Sequence, residues 1–265
     1  MDTNLDMNKL WDVNQKMIDD YLQACKDFTD NDELFSSFKR DSRYTPVLEH
    51  LTEADALLYV SEMKSKETLT ETILDSVREN DLYGSPLTIN HSELGLISPT
   101  TVRYLKNSLD IITTFKENSP FKKVLEIGGG YGGLCKVFSS FNKFNHYYLV
   151  DFPEVNGLSK KYISNFKLIK NKIYQISTNA LREIKDLDLV ISNYAFSECS
   201  REVQETYYDL FIKNSKNFYL VYNNFTENNM NSQAFMNRAS EDFEISFETE
   251  LRPPHTVHII YGKKC

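Results

Sequence analysis

The 265-residue sequence has little of what marks several common protein classes. Its four cysteines are scattered, with neither a CxxC pair nor a zinc-ligand spacing, so we expect reduced thiols and no disulfide framework. Basic residues number 30 against 38 acidic ones, and the net charge of −8 disfavours nucleic acid as a partner. No apolar run approaches the roughly 18 to 20 residues of a membrane span, and the polar first residues lack the apolar segment of a signal peptide. These absences predict a cytoplasmic protein without a membrane or nucleic-acid partner.

Glycine is also scarce, yet five of the nine glycines stand within six residues of the stretch VLEIGGGYGGLC, which runs from Val124 to Cys135. Glycine in a folded segment carries an entropic cost, and it suits positions that need unusual backbone angles or a close contact. The concentration of glycine at one point therefore predicts a turn that touches a nucleotide-like ligand.

The first part of the chain, residues 1–118, is predicted to be a helical region. Apolar residues recur at helical spacing from Leu10 to Cys25 and from Val102 to Ile112. Ser98 and Pro99 supply an N-cap and a first-turn proline for the second of these helices, which follows a long loop from residue 81. We interpret residues 81–104 as a lid over the acceptor site, where Tyr83, Arg103 and Tyr104 would suit a sugar. A dimerisation surface is the alternative, and the role of residues 1–80 stays open.

Residues 119–265 alternate between apolar strand patterns and amphipathic helix patterns. Such alternation predicts an α/β fold with a mostly parallel sheet and right-handed crossovers. The last two strand patterns are joined too tightly for a crossover, so they should form an antiparallel hairpin. Ligands of such sheets bind at the carboxyl ends of the strands, which is where the glycine turn falls.

Two cofactors fit a strand followed by a glycine-rich turn and a helix: a dinucleotide and S-adenosylmethionine (SAM). Gly128, Gly130 and Gly133 satisfy the spacing G-x-G-x-x-G, and Asp151 lies about 20 residues on, where it can accept hydrogen bonds from ribose hydroxyls. Glu126 favours SAM, because a carboxylate repels a pyrophosphate and attracts a cationic aminoacyl sulfonium. No tyrosine has a lysine four residues later, as a short-chain dehydrogenase would require.

Three stretches together, VLEIGGGYGGLC, LVDFPEV and DLVISNYAFSEC, resemble a family of sugar O-methyltransferases. Phe152 departs from the leucine of that pattern. The resemblance covers residues 124–225 and implies the Rossmann-like, seven-stranded class I methyltransferase sheet with its C-terminal antiparallel hairpin. It also implies SAM as the cofactor and S-adenosylhomocysteine (SAH) as the product.

Carried over by position, the resemblance implies a set of cofactor-binding residues. A cradle for the methionine part and the ribose comes from the glycine turn, Asp151 holds the ribose hydroxyls, and Phe152 lies against the adenine. Residues after the third strand contact the edge of the adenine, and residues at the end of the fourth strand face the sulfonium. The implied residues are Glu126, Gly128, Gly130, Tyr131, Gly132, Asp151, Phe152, Thr178, Asn179, Asn193 and Tyr194.

Methyl transfer to a hydroxyl calls for a general base. His255 is the first candidate, because its turn should lie at the carboxyl ends of the strands. Glu198, just past the fourth strand, and His91, in the N-terminal loop, are the others. Each has a structural alternative: a histidine that satisfies a turn carbonyl, a glutamate that caps a helix and a solvated loop histidine. A divalent metal is compatible with this chemistry, but no His/Asp cluster has ligand spacing.

We therefore expect a SAM-dependent O-methyltransferase that acts on a sugar hydroxyl of a glycan or of a nucleotide-activated sugar. The strand end SNYAF, which lacks the Pro-Pro motif of amine methylases, favours an oxygen acceptor. A methyltransferase for a polyketide or phenolic hydroxyl and a non-catalytic binding protein with the same fold are the alternatives. The oligomeric state is open, and a homodimer is one option.

Overall fold

A computed structural model describes residues 15–167, 169–224, 229–252 and 255–265, with only the backbone described at residues 251, 252, 255 and 256. The predicted part of the first helix before residue 15 lies outside these residues. The N-terminal part is mainly helical, and its helices are α1 (Gln15–Asp30), α2 (Asp32–Ser36), α3 (Glu53–Glu62), α4 (Glu71–Arg78) and α5 (Pro99–Thr114). As predicted, Ser98 caps α5 by accepting a hydrogen bond from the backbone N–H of Thr101.

The segment before α5 differs from the uninterrupted loop that the sequence predicts. It contains two short antiparallel strands, β1 (Ile89–His91) and β2 (Gly95–Ile97). Gly95 has a φ of +72°, which lets the chain turn back after the first strand. Strands of three residues are too short to show an alternating pattern, which is why the sequence does not reveal them.

A seven-stranded sheet forms the centre of the remaining chain. Its strands are β3 (Lys123–Ile127), β4 (His146–Asp151), β5 (Ile173–Ser177), β6 (Leu189–Asn193), β7 (Asn217–Tyr222), β8 (Phe243–Arg252) and β9 (His255–Lys264). The intervening helices are α6 (Gly133–Phe138), α7 (Pro153–Ile163), α8 (Ala195–Glu198), α9 (Arg201–Tyr207) and α10 (Ser232–Ala239). Among the described residues, no helix combines the length and the apolar character needed to cross a membrane.

The strand order is β5-β4-β3-β6-β7-β9-β8. The first five strands of this order are parallel, and β9 pairs antiparallel with both β7 and β8. The predicted mostly parallel sheet with a C-terminal antiparallel hairpin is therefore confirmed. The chain leaves β3 toward β4 on one side and returns to β6 on the other, so the order reverses between β3 and β6. In open α/β sheets, such a switch point at the carboxyl ends of the strands is where ligands bind.

Both faces of the sheet are covered. Phe218 and Tyr222 of β7 pack against Phe235 of α10, with ring centroids 5.6 and 5.7 Å apart. Tyr219, which points to the other face, donates a hydrogen bond to Asp110 of α5 over 3.0 Å. Because alternate residues of a strand point to opposite faces, α10 and α5 lie on opposite sides of the sheet.

The N-terminal helices share one hydrophobic core with the sheet. Helix α5 is buried from residue 99 to residue 111, including its charged residues. Lys106 forms ion pairs with Asp110, over 2.9 Å, and with Glu250 of β8. Helix α1 packs against α7, where Lys161 donates to the carbonyl oxygen of Phe28 over 2.9 Å. The described residues on both sides of the boundary predicted at residue 118 are thus packed together.

Candidate functional site

A cavity of about 420 Å³ lies at the carboxyl ends of β3, β4 and β6. This volume is within the range of small-molecule sites, roughly 300–1,000 Å³. Its floor is formed by the glycine turn and by the residues that end these three strands, and its wall by residues of α5, α8 and β9. Residues from the N-terminal region, at positions 21, 47, 48, 50, 51, 55 and 59, close it from above. We call this last group the roof.

The glycine turn needs its glycines for two separate reasons. Gly128, Gly130 and Gly132 have φ values of +73°, +53° and +89°, in the left-handed region that other residues rarely adopt. A Cβ at Gly128 would collide with Ala195, and one at Gly130 would come within 2.8 Å of Leu48. The turn thus keeps a bare backbone surface toward the cavity.

Glu126, the last but one residue of β3, lines the cavity and is 2% exposed. The Tyr147 hydroxyl donates a hydrogen bond to its Oε2 over 2.7 Å. Burial raises the pKa of Glu126 to about 8, opposed by the Tyr147 hydrogen bond and assisted by the nearby charge of Asp151. A cationic ligand group in the cavity would favour the ionised carboxylate.

Asp151 ends β4 and is held in place by backbone groups. Its Oδ2 accepts from the N–H of Gly130 over 2.9 Å, and its Oδ1 accepts from the N–H of Phe152 over 2.8 Å. Burial raises the pKa of Asp151 to about 6, although these two hydrogen bonds oppose the shift. Each carboxylate oxygen can accept a second hydrogen bond, so this oriented group suits a pair of ligand hydroxyls.

The end of β6 supplies two more cavity residues, as the sequence predicts. Asn193 Oδ1 accepts a hydrogen bond from Asn107 Nδ2 over 2.8 Å, while Asn193 Nδ2 is buried and finds no partner among the described residues. Tyr194 has a φ of +67° and a ψ of −42°, an unfavourable conformation for a residue with a side chain. Backbone strain of this kind collects at ligand sites, where the surrounding structure enforces it.

Of the three residues predicted to contact the adenine, two line the cavity and one does not. Phe152 and Thr178 line the cavity. Asn179, in contrast, is exposed on the following turn and is not among the lining residues. The prediction for Asn179 therefore does not match its position, because the chain turns outward after Thr178.

Two residues of the glycine stretch also point elsewhere. Tyr131 is fully buried beside Tyr104 and Tyr162, and its hydroxyl accepts from Asn80 Nδ2 over 3.1 Å. Gly132 faces Ile163 of α7. Neither residue lines the cavity, because left-handed backbone angles at Gly130 and Gly132 direct this part of the stretch into the core. Tyr131 thus supports the turn from behind, in place of the ligand contact predicted for it.

The three base candidates have separate outcomes. Glu198 lines the cavity, and its Oε1 accepts from Asn223 Nδ2 over 2.8 Å. Burial raises the pKa of Glu198, opposed by the Asn223 hydrogen bond and by the positive charge of Arg103. His91 lies in the β1–β2 hairpin, where its Nδ1 accepts from the N–H of Glu93, and it does not line the cavity. The structure therefore does not bring His91 into the cavity with the other predicted site residues.

His255 begins β9 at the carboxyl ends of the parallel strands, as the topology predicts. Its side chain lies outside the described residues, so its role as a base stays a prediction. Val257, two residues further along the same strand, lines the cavity.

The roof contains functional candidates that the sequence does not reveal. His50 lines the cavity, and burial followed by the nearby charge of Arg103 lowers its pKa. Tyr59 of α3 joins it there. The predicted lid contributes only its last two residues, Arg103 and Tyr104, while Tyr83 packs on Tyr162 and Phe166. No motif near residue 50 indicates a site, because the roof residues reach the cavity through tertiary packing alone.

Within the described ranges, no group of three or more His, Cys, Asp or Glu side chains is arranged to hold a metal ion. Four described acids line the cavity instead: Glu126 and Asp151 beside the glycine turn, Glu198 just after β6, and Asp55 in the roof.

No protein-family model and no curated protein matches the sequence. Among solved structures, the chain is similar to the magnesium protoporphyrin IX methyltransferase ChlM from Synechocystis PCC 6803, with bound SAM and with bound SAH. The TM-score is 0.52 in both comparisons, at 12% and 11% sequence identity. The matches cover 80% and 76% of this chain and 97% and 98% of the ChlM chains. The chain therefore has the class I methyltransferase fold, and its resemblance to sugar O-methyltransferases stays a prediction.

Proposed function

We propose that the chain is a SAM-dependent methyltransferase that transfers a methyl group to a hydroxyl oxygen of a small molecule, with a sugar as the acceptor. The observation that carries this proposal is the pair of buried acids, Glu126 and Asp151, on either side of a left-handed glycine turn in the cavity. The fold and the position of the cavity at the switch point support the same function.

The residues of the cavity fit the cofactor group by group. Asp151, fixed by two backbone N–H groups, suits the ribose hydroxyls. Glu126 offers a buried carboxyl to the cationic aminoacyl end, and Phe152 and Thr178 border the space beyond Asp151 for the adenine. The bare glycine backbone allows close approach between these two ends. A dinucleotide fits less well, because its pyrophosphate would lie beside Glu126 and Asp151, and Asp151 is mostly ionised at pH 7.

SAM, when bound, supplies an electrophilic methyl group on a sulfonium. The chain must then orient the acceptor hydroxyl and remove its proton as the new carbon–oxygen bond forms. Glu198 is the described acid that fits this role: it lines the cavity, and Asn223 holds it through a hydrogen bond. Its raised pKa makes the carboxylate a stronger base than an exposed glutamate would be. His50 and His255 are the alternatives for the same role.

Three observations support oxygen, and a sugar, as the acceptor. The strand end SNYAF lacks the Pro-Pro motif of methylases that act on amines. The same residues belong to the stretches that resemble sugar O-methyltransferases. Tyr59 and Tyr194, which both line the cavity, offer aromatic surfaces of the kind that sugars contact.

The test is transfer of a labelled methyl group from SAM to panels of sugars and nucleotide sugars, phenols and amines. We expect label in the sugar panel and a rate about 10²–10⁴-fold lower in Glu198→Gln, with SAH affinity preserved. Glu202→Gln, on the exposed side of α9, is the matched control and should retain the wild-type rate. Label in the amine panel alone would contradict the oxygen acceptor. A protein that binds SAH and labels no panel would contradict catalysis of this kind.

A further inference from the structure

Arg103 of α5 is a buried cation without an ion-pair partner among the described residues. Its side chain lines the cavity, and the residue is 5% exposed. No described Asp or Glu lies within ion-pair distance of its guanidinium, and its Nε is buried without a hydrogen-bond partner among the described residues. Other buried cations of the chain are paired: Lys106, four residues further along the same helix, contacts two carboxylates.

The surroundings of Arg103 are aromatic. Its guanidinium carbon lies 5.5 Å from the ring centroid of Tyr104 and 5.7 Å from that of Tyr194. Tyr59 is the third phenol near this charge. The guanidinium also forms a side-chain hydrogen bond with Tyr104, but the aromatic faces leave its Nε–H without an acceptor. Burying a charge is costly unless it is paired and hydrogen-bonded, so this arrangement is suited to a ligand that completes the pairing.

The position of Arg103 distinguishes between two possible ligands, the acceptor substrate and the cofactor. Its positive charge opposes the rise in the pKa of Glu198 and contributes to the lowered pKa of His50. The shifts at Glu126 and Asp151, beside the glycine turn, arise from other groups. The contact of Arg103 with Tyr194, which directly precedes the helix that carries Glu198, places the guanidinium on the same side of the cavity as this base candidate. We therefore assign Arg103 to the part of the cavity that receives the acceptor.

We propose that Arg103 binds an anionic group in the cavity. This group, a carboxylate or a phosphate, belongs to the acceptor substrate. This inference rests on the proposed methyltransferase function and narrows its substrate class to acidic acceptors, such as a uronic acid or a phosphorylated sugar. A planar guanidinium matches both anions through paired N–H donors. Arg103 would anchor the acidic group of the acceptor, and a hydroxyl of the same molecule would then be available for deprotonation by Glu198.

The experiment titrates inorganic phosphate, and separately acetate, into the SAH-saturated protein by calorimetry. We expect wild type to bind at least one of these anions and Arg103→Met to bind it at least tenfold more weakly. The SAH affinity of Arg103→Met should stay within about twofold of wild type. Arg182→Met, which removes an exposed arginine outside the cavity, is the matched control and should bind the anion as wild type does. The stronger anion distinguishes a phosphate from a carboxylate ligand.

Three results would overturn the proposal: no anion binding by wild type, equal binding by Arg103→Met, or a loss of SAH affinity in that variant. A loss of SAH affinity is followed by the same titration with 5′-methylthioadenosine, which lacks the carboxylate of SAH. If Arg103→Met weakens SAH by tenfold or more and leaves 5′-methylthioadenosine unchanged, Arg103 binds the cofactor carboxylate instead. Should Arg103→Met not fold, Arg103→Gln repeats the test. Failure of wild type to bind SAH would refute the proposed function. The anion titration of the free protein would then test anion binding by Arg103 separately.

Discussion

Binding of SAH at neutral pH should drive a proton off Glu126. Because burial raises the pKa of this carboxyl to about 8, the free protein at pH 7 holds the proton in about 90% of molecules. The ammonium group of SAH, placed near the glycine turn, favours the ionised form and lowers this pKa on binding. The two states of the protein thus differ by about 0.9 proton at pH 7.

The same linkage sets the pH dependence of affinity. Only molecules with ionised Glu126 bind the ammonium group tightly, and the apparent affinity is reduced by the fraction that is not ionised. With a pKa of about 8, that competent fraction rises from about 3% at pH 6.5 to about half at pH 8. The SAH affinity should therefore rise about 15-fold over this interval, which corresponds to about 1.6 kcal/mol.

Calorimetry in buffers of different ionisation enthalpy measures the released proton directly. Glu126→Gln, which keeps the shape and cannot titrate, should release none and show a flat affinity over this pH range. 5′-Methylthioadenosine, which has no ammonium group, should release none from wild type. An SAH enthalpy that does not depend on the buffer would refute the role of Glu126, as would equal proton release in Glu126→Gln.

Three further perturbations follow from the site. Asp151→Ala removes the charged acceptor of the ribose hydroxyls, so SAH affinity should fall by about 1.5–3 kcal/mol, or roughly 10–150-fold, by calorimetry; unchanged affinity would exclude Asp151 from the site. Asn223→Ala removes a hydrogen bond that lowers the pKa of Glu198, so the rate should fall and its rise with pH should move to higher pH; an unmoved pH–rate profile would contradict that positioning role. Glu126 keeps its proton up to about pH 8 in the folded chain but releases it near pH 4.5 when unfolded, so its contribution to stability is present below pH 4.5 and is lost as the pH rises to 8. Urea unfolding should show that Glu126→Gln loses less stability than wild type over this interval, by several kcal/mol, and parallel curves would contradict the raised pKa.

The parts of the site that the sequence predicts are those with a local cause. Gly128 and Gly130 could be predicted because a left-handed turn excludes other residues, and Asp151 because the second strand of such a sheet ends beside the first. Asn193 follows from the same parallel geometry, since β6 pairs directly with β3. The order of elements and the antiparallel end of the sheet are fixed by the length of the connections in the same way.

The remaining features depend on packing between distant segments. His50 and Tyr59 reach the cavity because α3 packs on α5, a contact that no periodicity in the sequence specifies. Tyr131 stands among ligand-facing glycines but fills the core, since the left-handed backbone angles at Gly130 and Gly132 decide the side of the turn on which it falls. The missing counter-charge of Arg103 is likewise a property of its surroundings, which are visible only once the chain is folded.

Calorimetric titration of the purified protein with SAH and with NAD tests whether this cavity binds the methyl-donor cofactor. SAH should bind with a stoichiometry of one per chain and NAD should give no binding heat, because an ionised Glu126 favours the cationic end of SAH and the ionised Asp151 repels a pyrophosphate beside the glycine turn. Binding of NAD without binding of SAH would contradict the assignment of the glycine turn and, with it, the proposed function.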